Sequence, residues 1–104
     1  MNPFGNPQKL MKQLQQAQER VQKEIAALEI EATSGGGMVK VVMDGHKGLK
    51  SLSIDKQVVS PDDVEMLEDL LVAALGQCGR TVDETVAAKV SGLTAGMKLP
   101  IPGF

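Results

Sequence analysis

The sequence predicts an α+β chain: a long helix, a three-stranded antiparallel meander, and a second helical region, in that order. Three observations carry this. Asn6 to Leu28 holds no glycine, and no proline after Pro7, and its apolar residues recur at helical spacing. Between Met38 and Asp55, apolar and polar residues alternate on either side of a glycine-bearing turn. From Ser60 the helical period returns and runs to about Val90.

In the first helix, Leu10, Leu14, Ala17, Val21, Ile25 and Leu28 form one apolar stripe. The rest is long and polar: Lys9, Lys12, Arg20 and Lys23 against Glu19 and Glu24, with six glutamines. At ~1.5 Å per residue such a helix is about 33 Å long, against a radius of gyration of about 13 Å for a compact 100-residue domain. It must project from the body or pair with a second copy.

Leu28 to Ser34 carries the chain from helix into a short strand. Gly35-Gly36-Gly37 is a turn, since glycine reaches positive φ at little cost. Met38 to Asp44 alternates, with Val39, Val41 and Met43 on one face. Gly45-His46-Lys47-Gly48 is a second turn, and Leu49 to Asp55 alternates again, with Leu52 and Ile54 together. Strands joined by turns this short are antiparallel, and their apolar face needs a helix or a partner.

Ser60-Pro61-Asp62-Asp63 predicts a helix start, with Ser60 as cap and Pro61 in the first helical position. Apolar positions follow at Val64, Leu67, Leu70, Leu71, Ala74, Leu75, Cys78, Val82 and Val86. Gly76 and Gly79 each cost roughly 1 kcal/mol relative to Ala. The expectation is one bent helix from Pro61 to about Val90, or two helices meeting near Gly76–Gly79. From Ser91 the chain is Gly- and Pro-rich and is expected to be irregular and in part mobile. The whole reads as a single domain over 1–104: a projecting basic helix (1–30), a sheet (31–56), a helical region (60–91) and a tail (92–104).

Of 104 residues only Phe4 and Phe104 are aromatic, so the core is aliphatic. A core this small, without aromatics or disulfides, often needs a partner chain to bury enough surface. Cys78 is the sole cysteine, which rules out an internal disulfide and suits a reducing cytoplasm. The sequence shows no signal-peptide pattern and no run of about 18 apolar residues, so a soluble, cytoplasmic chain is expected. Net charge is −2 but uneven. Residues 1–24 carry four basic and two acidic groups, while residues 61–104 carry three basic and seven acidic. That leaves the first helix as the best surface for a polyanion.

Catalytic chemistry finds no constellation here. His46 is the only histidine and lies in a turn, where a solvated residue is the ordinary reading. Cys78 lies on the apolar helix face as a small buried hydrophobe. The acids Asp62, Asp63, Glu65, Glu68 and Asp69 do not match a calcium loop, and a helix N-terminus already favours them. The triple glycine leads into a strand, whereas a phosphate loop leads into a helix. No enzyme, metal, cofactor or small-molecule substrate is expected.

Two surfaces remain as candidates. Lys9, Lys12, Arg20 and Lys23 share one helix face over about 21 Å, because eleven residues turn the helix by about 20° beyond three full turns. A pair of such helices offers eight cations and twelve glutamines for phosphate contact without reading bases. With no aromatic platform for stacking, duplex is favoured over single strand. On the last helix the apolar arc of Leu67, Leu70, Leu71, Ala74 and Leu75 is wider than one sheet contact needs, and the expectation is a homodimer interface formed together with the sheet, the alternative being a wide core face within one chain.

The order of elements and several strings resemble the YbaB/EbfC family of bacterial nucleoid-associated proteins. The strings are Leu10-Met11-Lys12-Gln13-Leu14-Gln15-Gln16-Ala17-Gln18, Gly35-Gly36-Gly37-Met38-Val39-Lys40-Val41, Ser53-Ile54-Asp55, Glu65-Met66-Leu67-Glu68-Asp69-Leu70, Ala73-Ala74, Gly96-Met97-Lys98-Leu99-Pro100 and Pro102-Gly103-Phe104. The resemblance implies an α-β-β-β-α subunit, a tweezer-shaped homodimer, and helical arms around double-stranded DNA in the nucleoid. Arg80 and Lys89 on the last helix join the four α1 cations as expected phosphate contacts. Where the family often has a basic run, this chain follows Arg80 with Thr81, Asp83 and Glu84. The alternative expectation is a dimeric interaction or scaffold module without a working DNA contact, motivated by the acidic total charge.

Overall fold

A computed structural model describes residues 6–95 of the chain. Helix α1 spans Pro7–Ala26, strands β1, β2 and β3 span Ile30–Ser34, Val39–Met43 and Leu49–Ile54, and helix α2 spans Val64–Ala95. The sheet order is β1-β2-β3 with both pairings antiparallel, so the α-β-β-β-α order is as the sequence predicts.

Local chemistry places each boundary. Asn6 is extended and its Oδ1 accepts the Gln8 N–H at 2.9 Å, while Pro7 opens the helix where no amide donor is needed. The three glycines after β1 have φ of 60°, 69° and 93°, a run that side chains with a Cβ resist. Asp44 builds the turn between β2 and β3. Its Oδ1 accepts the N–H groups of His46 (2.8 Å) and Gly48 (2.9 Å). These hydrogen bonds, Gly48 first and then His46, hold the Asp44 carboxyl below the usual carboxylate range. The end of α1 is fastened to the same turn, where Gly45 N–H donates to the Ile25 carbonyl at 3.0 Å. A Cβ on Gly45 would collide with that carbonyl and with Ile25 Cγ2.

The core lies between one face of the sheet and α2. Ala32 of β1 and Val39, Val41 and Met43 of β2 meet Ala74, Cys78 and Val82 of α2, which stand four residues apart along one helix face. Val58, from the short turn after β3, completes it. The Ser34 hydroxyl donates to the Leu70 carbonyl (2.7 Å), and the Cys78 thiol donates to the Ile30 carbonyl (3.2 Å). Both ties anchor α2 to β1. The third strand is left bare: Leu49 to Ser53 are all exposed, although Leu52 pairs with the buried Val41 and so shares its face.

Two expectations are corrected. The helix starts at Val64, three residues later than Pro61. Asp63 Oδ1 accepts the Met66 N–H at 3.1 Å, so Asp63 is the cap. Ser60 instead closes the preceding turn, accepting Asp62 N–H at its hydroxyl and Asp63 N–H at its carbonyl. Second, the helix ends later than expected: of the two forms considered, α2 takes the single one, a helix of 32 residues that runs through Gly76, Gly79 and Gly92 to Ala95. The burial of Ala74, Cys78 and Val82 on both sides of the two central glycines outweighs their propensity cost. Four residues placed in the tail, 92–95, are thus helical; the remaining tail positions, 96–104, lie outside the described residues.

Two glycine substitutions separate two kinds of requirement. Gly45→Ala meets backbone that cannot yield, and should cost roughly 2–3 kcal/mol by overpacking. Gly36→Ala meets nothing within 4 Å but must hold φ near +69°, at roughly 1 kcal/mol. Urea denaturation of the two variants checks the order; equal losses would contradict the close approach at Gly45. For Asp44, a lowered folded pKa means that its stabilisation is complete above the unfolded value of about 3.9 and is lost as pH falls through the folded value. Asp44→Ala should therefore lower stability at pH 7, and the difference from the parent chain should shrink as pH falls through the folded value.

Candidate nucleic-acid interface

The route of α1 follows from what is already covered. The inner face of β1 and β2 is taken by α2, and the outer face is open, with Glu31, Thr33, Lys40, Ser51 and Ser53 exposed. From its fastening at Gly45, α1 therefore runs outward beside the second half of α2. The Glu24–Lys89 ion pair at 3.6 Å joins the two helices. The molecule is accordingly a rod of 76 × 20 × 17 Å.

Burial along α1 shows which face it turns to α2. Ile25 is 4% exposed, and Leu14, Ala17 and Val21 are part-buried. Lys9, Lys12, Arg20 and Lys23 are all exposed. On a helical wheel the centre of this basic ridge lies about 140° from the centre of the apolar stripe. Packing the stripe thus forces the ridge into solvent.

The ion pairs decide which cations remain available. Lys40 pairs with Glu31 (2.7 Å), Lys47 with Asp83 (3.0 Å), Lys50 with Glu29 (3.3 Å) and Lys89 with Glu24. Among the described residues, the cations outside these pairs are Lys9, Lys12, Arg20 and Lys23 on α1, with Lys56 and Arg80 elsewhere. Arg80 is exposed, and its Nη2 donates to Gln77 Oε1 at 3.2 Å. Lys89 is part-buried, and its charge is already offset by Glu24. The six expected phosphate contacts therefore fall into three kinds: four together on α1, Arg80 separate from them on α2, and Lys89 neutralised. Lys56, exposed just after β3, has no signal in the periodicity that would have singled it out.

The expected dimer residues also divide. Ala74 is fully buried in the chain's own core, while Leu67, Leu70, Leu71 and Leu75 are part-buried against it. Exposed apolar side chains lie nearby: Leu49 (51%) and Leu52 (45%) on β3, and Val64, Met66 and Val72 on α2. The Lys47 stem lies against Gly79, so that side of α2 faces the β2–β3 turn. Leu75 and Val72 lie within about 40° of Gly79 on the helical wheel, on the side of α2 that faces that turn. Sequence periodicity alone did not expose the bare face of β3, since Leu52 and Ile54 alternate as well as any covered pair.

The other titratable groups do not build a reactive site. Cys78 is buried, and burial pushes its thiol pKa up, away from the nucleophilic thiolate. His46 is exposed in its turn. Among the described residues, no three His, Cys, Asp or Glu side chains converge to hold an ion, and no helix is long and apolar enough to cross a membrane.

The chain is similar to known proteins over most of its length. Residues 2–97 match the model of the YbaB/EbfC DNA-binding family. A nucleoid-associated protein of Acetivibrio thermocellus is 47% identical over 103 residues, covering 96% of this chain and 90% of the relative. One from Acidobacterium capsulatum is 44% identical over 109 residues, covering 100% and 99%. The crystal structure of HP0035, an uncharacterised protein of Helicobacter pylori, matches with a TM-score of 0.60 at 26% identity, covering 73% of this chain and 88% of that one. The chain belongs to the YbaB/EbfC DNA-binding family.

Proposed function

We propose that the chain binds duplex DNA in the bacterial nucleoid as a homodimer, through phosphate contacts from the α1 ridge. The observation that carries this is the separation of charge. Cations on the sheet and α2 are largely matched by carboxylates, while four on α1 are unmatched and share one solvent face. Four cations are a small footprint, and doubling them in a dimer brings them to the scale of a DNA-binding surface. The exposed apolar side chains of Leu49, Leu52 and Val72 support self-association. A chain that leaves the inner face of one strand uncovered gains apolar burial by pairing with a copy of itself. Binding through phosphates is sequence-tolerant, which suits a role in organising DNA and influencing many genes at once. A protein-binding role without DNA is the second reading, favoured by the exposed acids Asp62, Asp63, Glu65, Glu68 and Asp69 at the opposite end of the charge distribution.

Gel-shift titration in low salt should show a complex at micromolar dimer with duplexes of unrelated sequence. No complex there would leave the protein-binding reading in its place. Replacing Lys9, Lys12, Arg20 or Lys23 singly by Ala should shrink the salt slope by about one unit, evenly across sequences. Lys89→Ala should have a smaller effect, because Glu24 already offsets that charge. A changed sequence preference with an unchanged slope would show that the ridge does more than hold phosphate.

Leu52→Asp tests the pairing surface with little risk to the fold, since Leu52 is 45% exposed within the chain. Sedimentation should show a folded monomer with weakened DNA binding. A folded dimer would reject this surface.

A further inference from the structure

The basic ridge leaves most of the glutamines of α1 unused. Of the six, only Gln13 and Gln16 lie within the ridge on the helical wheel. The other four, Gln8, Gln15, Gln18 and Gln22, fall with Met11 at alternating steps of three and four residues, in one line along the helix. The centre of that line is about 120° from the ridge and about 100° from the apolar stripe, so α1 has three distinct faces. The stripe is turned to α2, and the line is left to solvent: all five of its residues are exposed, Met11 by 61%. Among the described residues no hydrogen bond engages these four glutamine side chains. On α2, by contrast, the Gln77 amide donates to Thr81 Oγ1 at 3.3 Å and accepts from Arg80 Nη2 at 3.2 Å.

Such a line matches the major-groove edge of A·T pairs. Adenine presents an N7 acceptor beside an N6 donor, which one glutamine amide meets with two hydrogen bonds, and thymine presents a methyl group to an apolar side chain. The glutamines supply the first contact and Met11 the second. A helix with its side chains is about 10–12 Å across, and the major groove is about 12 Å wide. Neighbours on the line stand about 4.5–6 Å apart along the axis, or one to two base pairs at about 3.4 Å each. Lys12 and Lys23 lie about 90° round the helix from the line, toward a strand that borders the groove. We propose that α1 lays this glutamine line into the major groove and favours A·T pairs there, while the near edge of the ridge holds the bordering phosphates. The inference rests on the reading of the arm as a duplex-binding surface. To the phosphate contacts, which are blind to sequence, it adds a base preference.

Competition between duplexes of equal length, at the salt concentration that half-dissociates the complex, tests it. An A·T-rich duplex should outcompete a G·C-rich one by about tenfold. Replacing adenine by its N7-deaza analogue, which removes the major-groove acceptor and leaves the minor groove unchanged, should abolish that preference. Gln15→Ala with Gln18→Ala and Gln22→Ala keeps a helix former at each exposed position. It should lose the preference with the salt slope unchanged, whereas Gln13→Ala with Gln16→Ala should keep the preference. Equal binding of both duplexes by the parent chain, or a preference that survives the deaza analogue, would overturn the inference and leave the phosphate reading standing. No complex with either duplex would remove both. A triple variant that sediments as a monomer where the parent is a dimer would give the line to a second copy and also overturn the inference.

Discussion

Small side chains set how closely α2 approaches the sheet, and the rest of the molecule is arranged around that contact. Ala74, Cys78 and Val82 are the residues of α2 that are almost wholly buried, and they lie against Ala32, Val39, Val41 and Met43. Among the described residues no aromatic ring takes part. The helix can therefore sit low over two strands, but one helix about 10 Å across does not also cover the third. The bare face of β3 and the close seating of α2 have the same origin. So does the arm, because α2 is far longer than a five-residue strand is wide to cross, and what overruns the sheet becomes the surface on which α1 lies.

Much of this was legible in the residues. The stripe on α1 predicted which side would be buried, and the burial of Ile25 beside the exposure of Lys9, Lys12, Arg20 and Lys23 follows it. Val39, Val41 and Met43 were placed on one face by alternation, and they are the buried face of β2. Helix boundaries were less legible, for a physical reason. Ser60, Asp62 and Asp63 can all cap, and the choice depends on which carboxylate or hydroxyl reaches the first free amide in three dimensions. The continuity of α2 was left open as well. Local propensity marks Gly76 and Gly79 as weak points, and only the tertiary burial around them shows that the helix runs on.

The candidate site was half legible. That four cations share a face can be counted from residue numbers. That the cations of the sheet are matched cannot, because Lys40 and Glu31, or Lys47 and Asp83, meet only through strand pairing and helix packing. Net charge hides the distinction. A chain at −2 presents an unmatched basic ridge because most of its other positive charges are spent internally.

The unbroken course of α2 makes body and arm a single lever. About twenty residues of the helix ride on the sheet, and the remainder reaches past it without a joint. A tilt of about 5° at the sheet moves the end of the helix, about 18 Å past it, by about 1.6 Å, comparable with the rise of one helical residue. Whatever grips the sheet therefore sets the position of the distant tip, with no hinge needed between them.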